Sequence, residues 1–244
     1  MNIKIFKKAI LLIHGFAGGS YDYNSLNNDL ELYNNFDVFT FTLPGHEKMI
    51  IDKVTRKDWI KKAEDELEKI INAGYGEVYI IGHSMGGVIA SYLASKYKQV
   101  KKLVLAAPAF HYLSFKGNKV DVIESIKKLP NLFKNYDPEE VLSRLFKIPV
   151  PTIKEFMKLV EEHTGDVKKI TCPTLILHGD NDDIVPIDSV LYVYNNIQSK
   201  SVTLIELHTL THDLFMNDRY EEVKNLIIKF FRTIPINIKK QQNI

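Results

Sequence analysis

The chain has 244 residues, 45% of them hydrophobic, and its 32 basic and 30 acidic side chains leave a net charge of +2. This length and apolar content can bury a full core, and we expect one domain rather than two small ones. No Lys/Arg cluster stands apart from acidic neighbours, so the charge pattern gives no indication of a nucleic-acid partner. Cys172 is the only cysteine, which excludes a disulfide within the chain and fits a reducing compartment.

The N-terminus resembles a signal peptide in outline, because Lys4, Lys7 and Lys8 precede an apolar run over residues 9–13. Five residues are too few for the apolar region of a signal peptide or for a membrane span. We therefore predict a cytoplasmic protein without stable membrane insertion. The sequence leaves its oligomeric state open.

Six short apolar runs, most of them ending in Gly, Pro, His or Asp, are predicted as strands. They cover residues 9–15, 36–46, 77–84, 100–108, 172–180 and 201–207. Runs that are apolar on both faces suit a parallel sheet covered by helices. Helical periodicity between them predicts helices within residues 59–76, with a stop at Gly74, and over 84–98 and 219–231. The alternation predicts an α/β fold with a mainly parallel sheet of about six strands, whose functional residues lie at the carboxyl ends of the strands.

This alternation breaks after Pro108, because no further strand is predicted before Cys172. Three helical patterns fill the gap, over residues 121–130, 136–146 and 151–163. In the third, Thr152 and Glu155 have the spacing of a capping box. We expect residues 109–165 to form a helical lid over the strand ends. The core of the domain then consists of residues 1–108 and 166–244.

A serine lies between glycines where the third predicted strand meets a helix. The segment Gly82-His83-Ser84-Met85-Gly86 matches the pattern G-x-S-x-G. Its glycines would let the strand turn sharply into the helix and expose the Ser84 hydroxyl at the helix N-terminus. Alternatively, Ser84 caps the helix in an ordinary turn or in a phosphate-binding loop, although the full glycine patterns of phosphate loops are absent.

Serine is a strong nucleophile at neutral pH only when a base takes its proton and a third group orients that base. Two later loops offer both partners. The loop after the fifth predicted strand carries Asp180, Asp182 and Asp183, and the loop after the sixth carries His212. His208 is the rival base, but it lies nearer the strand end, where packing more readily fixes a side chain. The alternatives are a solvated acidic loop and an ordinary surface histidine.

Together these motifs resemble the α/β-hydrolase superfamily, and within it the small lidded carboxylesterases and monoacylglycerol lipases. The likeness extends over nearly the whole chain and rests on the segments LLIHGFAGGS, GHSMGG, HGDNDDIVP and THDLF. In that family the late loop reads G-x-x-D-x-x-V-P, which this sequence matches with Gly179, Asp182, Val185 and Pro186. The resemblance therefore implies Asp182 as the acid of a Ser-Asp-His triad, with Asp183 as the fallback.

The resemblance also implies an oxyanion hole. When Ser84 attacks an ester, the carbonyl oxygen becomes an anion that two backbone N–H groups can stabilise. One donor is expected at Met85, directly after the nucleophile, and the resemblance places the other at Phe16, with Gly15 allowing close approach. We expect Gly15 and His83 to line the substrate site together with unidentified lid residues. The alternative for the HGF motif is a simple turn.

We expect a serine hydrolase that cleaves carboxylic esters with short- to medium-chain acyl groups through an acyl-enzyme on Ser84, with His212 as base and Asp182 orienting it. A monoacylglycerol lipase, lysophospholipase or thioesterase stays open, because all use the same intermediate. A non-catalytic ligand-binding member of the fold is a further alternative. No cofactor is expected, and no metal, because the other histidines lack the spacing of a zinc site. These histidines are His14, His46, His83 and His178.

Overall fold

A computed structural model of the chain shows a β-sheet with helices packed on both of its faces. It describes residues 7–23, 25–33, 35–47, 53–110, 115–116, 119–120, 149–234 and 237–244. The strands are β1 (Lys8–Ile13), β2 (Phe36–Thr40), β3 (Val78–His83), β4 (Val100–Ala106), β5 (Phe115–Lys116), β6 (Lys119–Val120), β7 (Thr174–Gly179), β8 (Val202–Leu207) and β9 (Lys239–Asn243). The helices are α1 (Leu26–Glu31), α2 (Arg56–Asn72), α3 (Met85–Lys96), α4 (Val150–His163), α5 (Ile187–Asn196) and α6 (Tyr220–Arg232).

Seven strands form one sheet in the order β2-β1-β3-β4-β7-β8-β9, and every neighbouring pair is parallel. β5 and β6 form a separate antiparallel ladder in the interval where no strand was predicted. Two residues per strand are too few for an apolar pattern to indicate them. All six predicted strands and the α/β class are confirmed. The sheet has one strand more than expected, because β9 pairs with β8 at the edge. All five residues of β9 are exposed, and their polar sequence KKQQN gives no apolar pattern to detect.

The three helices predicted around the early and late strands are confirmed as α2, α3 and α6. A capping box starts α2, in which the Asp58 carboxylate accepts the Thr55 N–H at 2.9 Å. The helix is followed by Gly74 with φ 96°, a left-handed turn that favours glycine. The short helices α1 and α5 were not predicted.

Two layers of apolar side chains lie on the two faces of the sheet. Along β1, Ala9, Leu11 and Ile13 pack toward the layer under α2 and α3, whereas Ile10 and Leu12 pack toward the layer that contains residues of α1 and α6. Alternate residues of a strand point to opposite faces, so a strand covered on both sides is apolar throughout. This arrangement explains the unbroken apolar runs of the sequence.

Of the three helical patterns predicted between β4 and β7, only the last lies within the described residues, and it is confirmed as α4. The expected capping box is wrong. Helix α4 begins after Pro149, and buried Thr152 already donates its backbone N–H to the Pro149 carbonyl at 2.8 Å. Proline in a first helical turn needs no N–H partner, so the helix is capped at Pro149, three residues before the predicted cap Thr152. The Glu155 carboxylate instead accepts a hydrogen bond from Arg56 at 2.7 Å.

The described end of the predicted lid packs on the core. Helix α4 contacts α2 and α3, and its Leu159 and Val160 belong to the same apolar layer as those helices. The other two predicted helices, over 121–130 and 136–146, lie outside the described residues. The lid boundaries at 109 and 165 stay a prediction.

Candidate active site

The predicted serine turn connects β3 to α3 through a single residue. Ser84 has φ 54° and ψ −119°, a left-handed backbone that is costly for a residue with a Cβ. Its N–H donates to the Ala106 carbonyl at 2.9 Å, and its carbonyl accepts the Gly87 N–H at 2.9 Å. A Cβ on Gly86 would lie 2.0 Å from the Ile13 carbonyl oxygen, so only glycine fits there. The Ser84 side chain makes no capping hydrogen bond to α3, which argues against the capping alternative.

The acid and base of the predicted triad form a hydrogen-bonded pair. His212 Nδ1 donates to Asp182 Oδ2 at 2.9 Å, and the side chains are 8% and 0% exposed. The second carboxylate oxygen, Oδ1, accepts the N–H groups of Ile184 at 2.9 Å and Val185 at 2.8 Å. The turn after β7 therefore binds one oxygen of the Asp182 carboxylate, and His212 binds the other. Together these hydrogen bonds fix the orientation of the carboxylate.

Burial and charge act in opposite directions on this pair. Burial alone would raise the pKa of Asp182, but the facing His212 and the hydrogen bonds outweigh it and hold this pKa below the ordinary range. Burial would lower the pKa of His212, whereas the Asp182 carboxylate raises it, and the net pKa lies above its ordinary value of 6.5. The pair thus favours an ionised carboxylate that steadies a positive charge on the imidazole.

His83, expected to line the substrate site, is instead turned into the protein. Its Nε2 donates to the backbone carbonyl of His212 at 3.0 Å, and the two rings lie 4.8 Å apart. Its Nδ1 is buried and has no hydrogen-bond partner among the residues that the structure describes. Burial lowers the pKa of His83 to about 4, so the ring is neutral at pH 7. His83 therefore joins the strand that precedes Ser84 to the loop that carries His212.

The loop after β1 runs against the serine turn. A Cβ on Gly15 would lie only 3.1 Å from the Ser84 Cβ, so glycine permits the close approach. His14 holds this loop, because its Nδ1 donates to the Gly15 carbonyl at 2.8 Å and its Nε2 accepts the Leu43 N–H at 2.9 Å. Burial lowers the pKa of His14 to about 4, which keeps the ring neutral and suits both bonds. The next residue, Phe16, is the predicted oxyanion donor.

Within the described residues, the two predicted oxyanion donors have backbone N–H groups without an acceptor. Met85 is the first residue of α3, and first-turn N–H groups have no partner within their own helix. The N–H of Phe16 donates to no acceptor among the described parts of the chain. Both residues adjoin the serine turn, Met85 through the chain and Phe16 through the contact of Gly15 with Ser84.

The Phe16 ring packs together with three other aromatic rings, and we call this group the aromatic wall. The other members are His46, Trp59 and Phe156. The Phe16 ring stacks on Phe156 with centroids 5.0 Å apart and meets Trp59 and His46 edge-on, each at 5.9 Å. The contact of Phe156 with Phe16 was not predicted, and the lid residues of the site were left unidentified. No spacing rule links residues from four separate segments of the chain.

The rival base and acid lie elsewhere on the surface. His208 is 61% exposed, and its Nδ1 contacts Asp180 Oδ2 at 2.7 Å. The expectation that packing would fix His208 is therefore wrong. Asp183, the fallback acid, is exposed. Of the three aspartates on this loop, Asp182 is the one paired with His212.

One supporting histidine had no role in the sequence analysis. His178, at the end of β7, donates from Nε2 to the Val185 carbonyl at 2.9 Å and lies 3.7 Å from Asp182 Oδ2. It thereby closes the turn that holds Asp182. Cys172 is a different case, since burial raises the pKa of its thiol to about 12 and leaves it protonated at neutral pH.

Metal-ligand clusters and membrane-spanning helices are both absent from the described residues. No group of three or more His, Cys, Asp or Glu side chains in these residues could hold a metal ion. Within the same residues, no helix combines the length and the apolar character that a membrane span requires.

Comparison with known proteins identifies the family. A family profile described as serine aminopeptidase S33, named Hydrolase_4, matches residues 5–219. A carboxylesterase of Bacillus subtilis (strain 168) is 25% identical over 235 residues, covering 90% of this chain and 93% of its own length. A thermostable monoacylglycerol lipase of Bacillus sp. (strain H-257) is 25% identical over 217 residues, which cover 83% of this chain and 82% of the lipase.

Solved structures of the same fold match over most of their length. A solved structure from work on two metagenome-derived lipolytic enzymes has a TM-score of 0.73 at 20% sequence identity. The match covers 93% of this chain and 94% of the chain in that structure. The monoacylglycerol lipase of Paleococcus ferrophilus has a TM-score of 0.67 at 19% identity, covering 91% and 93%. Because the family profile spans most of the sequence, the chain belongs to the Hydrolase_4 family of α/β-hydrolases, as its motifs predicted.

Proposed function

We propose that the protein is a serine esterase that cleaves carboxylic esters with short- to medium-chain acyl groups through an acyl-enzyme on Ser84. The observation that carries this proposal is the buried Asp182–His212 pair at 2.9 Å. The His212 carbonyl accepts a hydrogen bond from His83, the residue directly before the strained Ser84. A strained serine at a helix N-terminus beside a histidine–carboxylate pair is the arrangement that serine hydrolases need.

The first half of the reaction forms the acyl-enzyme. Ser84 Oγ attacks the ester carbonyl carbon while His212 Nε2 takes its proton, and the carbonyl oxygen becomes an anion. The N–H groups of Met85 and Phe16 donate to this anion. The bond to the alcohol then breaks, and the proton on His212 passes to the departing alcohol oxygen.

The second half returns the enzyme to its starting state. His212 Nε2 takes a proton from a water molecule, whose oxygen attacks the acyl carbon on Ser84. The oxyanion forms again and is stabilised by the same two N–H groups. When the bond to Ser84 Oγ breaks, His212 returns the proton to that oxygen, and the acid product leaves.

Asp182 sets the direction of both proton transfers. Its Oδ2 binds the Nδ1–H of His212, so the lone pair of the imidazole lies on Nε2, the atom that must accept the Ser84 proton. Two backbone N–H groups on Oδ1 keep the carboxylate from rotating away. The charge of Asp182 also stabilises the imidazolium that exists between the two transfers.

Several observations support an ester as substrate. Relatives of similar length are named carboxylesterase and monoacylglycerol lipase. The aromatic wall includes Phe16, whose neighbour Gly15 approaches Ser84, and its apolar rings suit an apolar acyl chain. A monoacylglycerol is the second candidate substrate, because the relative named for it is as similar, at 25% identity, as the relative named carboxylesterase. The lid over residues 109–165 and a cytoplasmic location belong to the same proposal.

The test combines an active-site label with a substrate panel. A fluorophosphonate, followed by peptide mass mapping, should modify Ser84 and leave Ser84→Ala unmodified. Ser95→Ala, which removes a hydroxyl from the far end of α3, is the matched control and should label fully. The panel contains p-nitrophenyl esters of increasing chain length, monoacylglycerols and an aminoacyl p-nitroanilide, because the family description names an aminopeptidase. Labelling at another residue, or hydrolysis of the anilide alone, contradicts the proposal.

A further inference from the structure

Helix α4 contributes one residue to the aromatic wall, and that residue touches the oxyanion loop. Phe156 lies in the second turn of α4 and stacks on Phe16 at 5.0 Å with 20° between the ring planes. We propose that Phe156 is a positioning residue, which fixes the Phe16 side chain and thereby keeps the Phe16 N–H directed at the oxyanion. The inference rests on the proposed function, because it assumes that Phe16 is an oxyanion donor.

The backbone around Phe16 needs such a support. Gly15 on one side has no side chain to restrict it, and Ala17 on the other has φ 62°, a conformation that is unfavourable for alanine. His14 fixes the Gly15 carbonyl, but no acceptor among the described residues holds the Phe16 N–H. The Gly15 carbonyl belongs to the same planar peptide group as the Phe16 N–H, and it also accepts the Gly18 N–H at 3.3 Å. These bonds hold the Gly15 side of the peptide group, and the contacts of the Phe16 ring hold its other side, at the Phe16 Cα.

The Phe16 ring is held between two helices. Trp59 of α2 meets it edge-on at 5.9 Å, and Trp59 is itself fixed by an Nε1–H bond to the Pro44 carbonyl at 3.0 Å. Phe156 of α4 covers the face of the ring and is buried, with 5% of its surface exposed. Loss of the Phe156 ring would leave the edge-on contacts with Trp59 and His46, and no described aromatic ring would stack on the face of Phe16.

Arg56 connects the two helices that hold the ring. It is the first residue of α2, three positions before Trp59, and its Nη1 donates to Glu155 Oε2 at 2.7 Å. Its Nε donates to Glu162 Oε2 at 2.8 Å. Glu155 and Glu162 lie seven residues apart, on one face of α4, so one guanidinium holds two turns of the helix. The guanidinium thus anchors α4 in the position from which Phe156 reaches Phe16.

This arrangement predicts a defect confined to the transition state. The Ser84 turn and the Asp182–His212 pair do not include Phe156, so its truncation leaves nucleophile and base intact. A misdirected N–H weakens binding of the oxyanion but not of the uncharged ground state. A residue that only lines the acyl site would instead weaken both.

The experiment uses Phe156→Ala, with Phe156→Tyr to restore the ring and Met157→Ala as the matched control. Met157 follows in the same helix and has the same 5% exposure. We measure kcat/KM for a p-nitrophenyl ester, the Ki of a trifluoromethyl ketone, which forms an oxyanion with Ser84, and the Ki of an unreactive ether of equal chain length. Fluorophosphonate titration counts the active sites in each preparation.

For Phe156→Ala we expect kcat/KM to fall about tenfold and the ketone Ki to rise about tenfold, part of the 100- to 1000-fold that loss of a whole donor costs. The ether Ki should change less than twofold, and Phe156→Tyr and Met157→Ala should stay within twofold of the parent in all measurements. Equal weakening of ether and ketone, or an equal loss in Met157→Ala, overturns the inference.

A second variant covers the case in which Phe156→Ala does not fold. Arg56→Gln removes the anchor of α4 on the surface and should lower kcat/KM and ketone affinity together, about threefold, with the ether Ki unchanged. Unchanged ketone affinity in this variant overturns the inference. Failure of the parent protein to label at Ser84 is a separate result, which contradicts the proposed function itself.

Discussion

Replacing Asp182 with asparagine tests the orientation of the base. Asparagine has one oxygen where aspartate has two, and in this site three N–H groups require acceptors: His212 Nδ1–H and the amides of Ile184 and Val185. If the amide nitrogen takes the position of Oδ1, it faces two N–H groups. If it takes the position of Oδ2, it faces His212 Nδ1 alone, so this orientation loses fewer hydrogen bonds.

In that orientation the asparagine donates to Nδ1, which forces the His212 proton onto Nε2. The base then carries a proton on the atom that must accept one from Ser84. Loss of the correct tautomer costs on the order of 10⁴-fold in kcat for a serine triad, which corresponds to about 5 kcal/mol in the activation free energy. Stability should change little, because the two backbone amides keep their acceptor.

The assay is the steady-state hydrolysis of a p-nitrophenyl ester by Asp182→Asn and by Asp183→Asn, its exposed neighbour. Thermal unfolding checks that both variants fold. We expect Asp182→Asn to be nearly inactive and Asp183→Asn to keep more than half of the parental activity. The reasoning is refuted if Asp182→Asn retains more than a tenth of the parental kcat, or if both variants lose it equally.

The remaining predictions concern the base, one buried lysine and acid stability. His212→Ala should abolish ester hydrolysis, whereas His208→Ala should change kcat/KM less than twofold, and equal losses would leave the assignment unsupported. The activity of the parent should fall on acidification with a midpoint above pH 6.5, because the base must be neutral and Asp182 raises its pKa. Lys102 donates to three backbone carbonyls at the end of α6, at 2.7–2.9 Å. Lys102→Met should therefore lower the free energy of unfolding, measured by urea titration, by about 2–4 kcal/mol. An unchanged urea midpoint of unfolding contradicts this prediction. Burial lowers the pKa of His14 from 6.5 to about 4, so between pH 6.5 and pH 4 the folded state binds fewer protons than the unfolded state. The free energy of unfolding should therefore fall by up to roughly 3 kcal/mol as the pH drops through this range. A His14→Gln variant should lack this part of the pH dependence.

The features that the sequence predicts well are those set by local chemistry. Strands covered on both faces are apolar throughout, and the six apolar runs correctly predicted β1 to β4, β7 and β8. The serine turn was predicted from its glycines, since Gly86 leaves no room for a Cβ beside Ile13. The pairing of Asp182 with His212 also follows a pattern, because both come after neighbouring parallel strands.

The features that escaped prediction depend on tertiary contacts. β9 is polar and exposed, so its pairing with β8 leaves no periodic pattern. His83 was expected at the substrate, but only the folded structure shows that its ring turns to the His212 carbonyl. Phe16 and Phe156 stand 140 positions apart, and a contact between them has no signature in one sequence. The start of α4 was misplaced because Pro149 is its N-cap and Pro151 fits its first turn, so Thr152 lies inside the helix and does not cap it.

The most direct test of the central claim is to trap the acyl-enzyme. The protein is mixed with a p-nitrophenyl ester, quenched in acid within the burst of p-nitrophenol release, digested and mapped by mass spectrometry. The account predicts one acyl group per molecule on Ser84 as long as p-nitrophenol release is faster than deacylation. A burst without an adduct on Ser84, or the same adduct in Ser84→Ala, would contradict it.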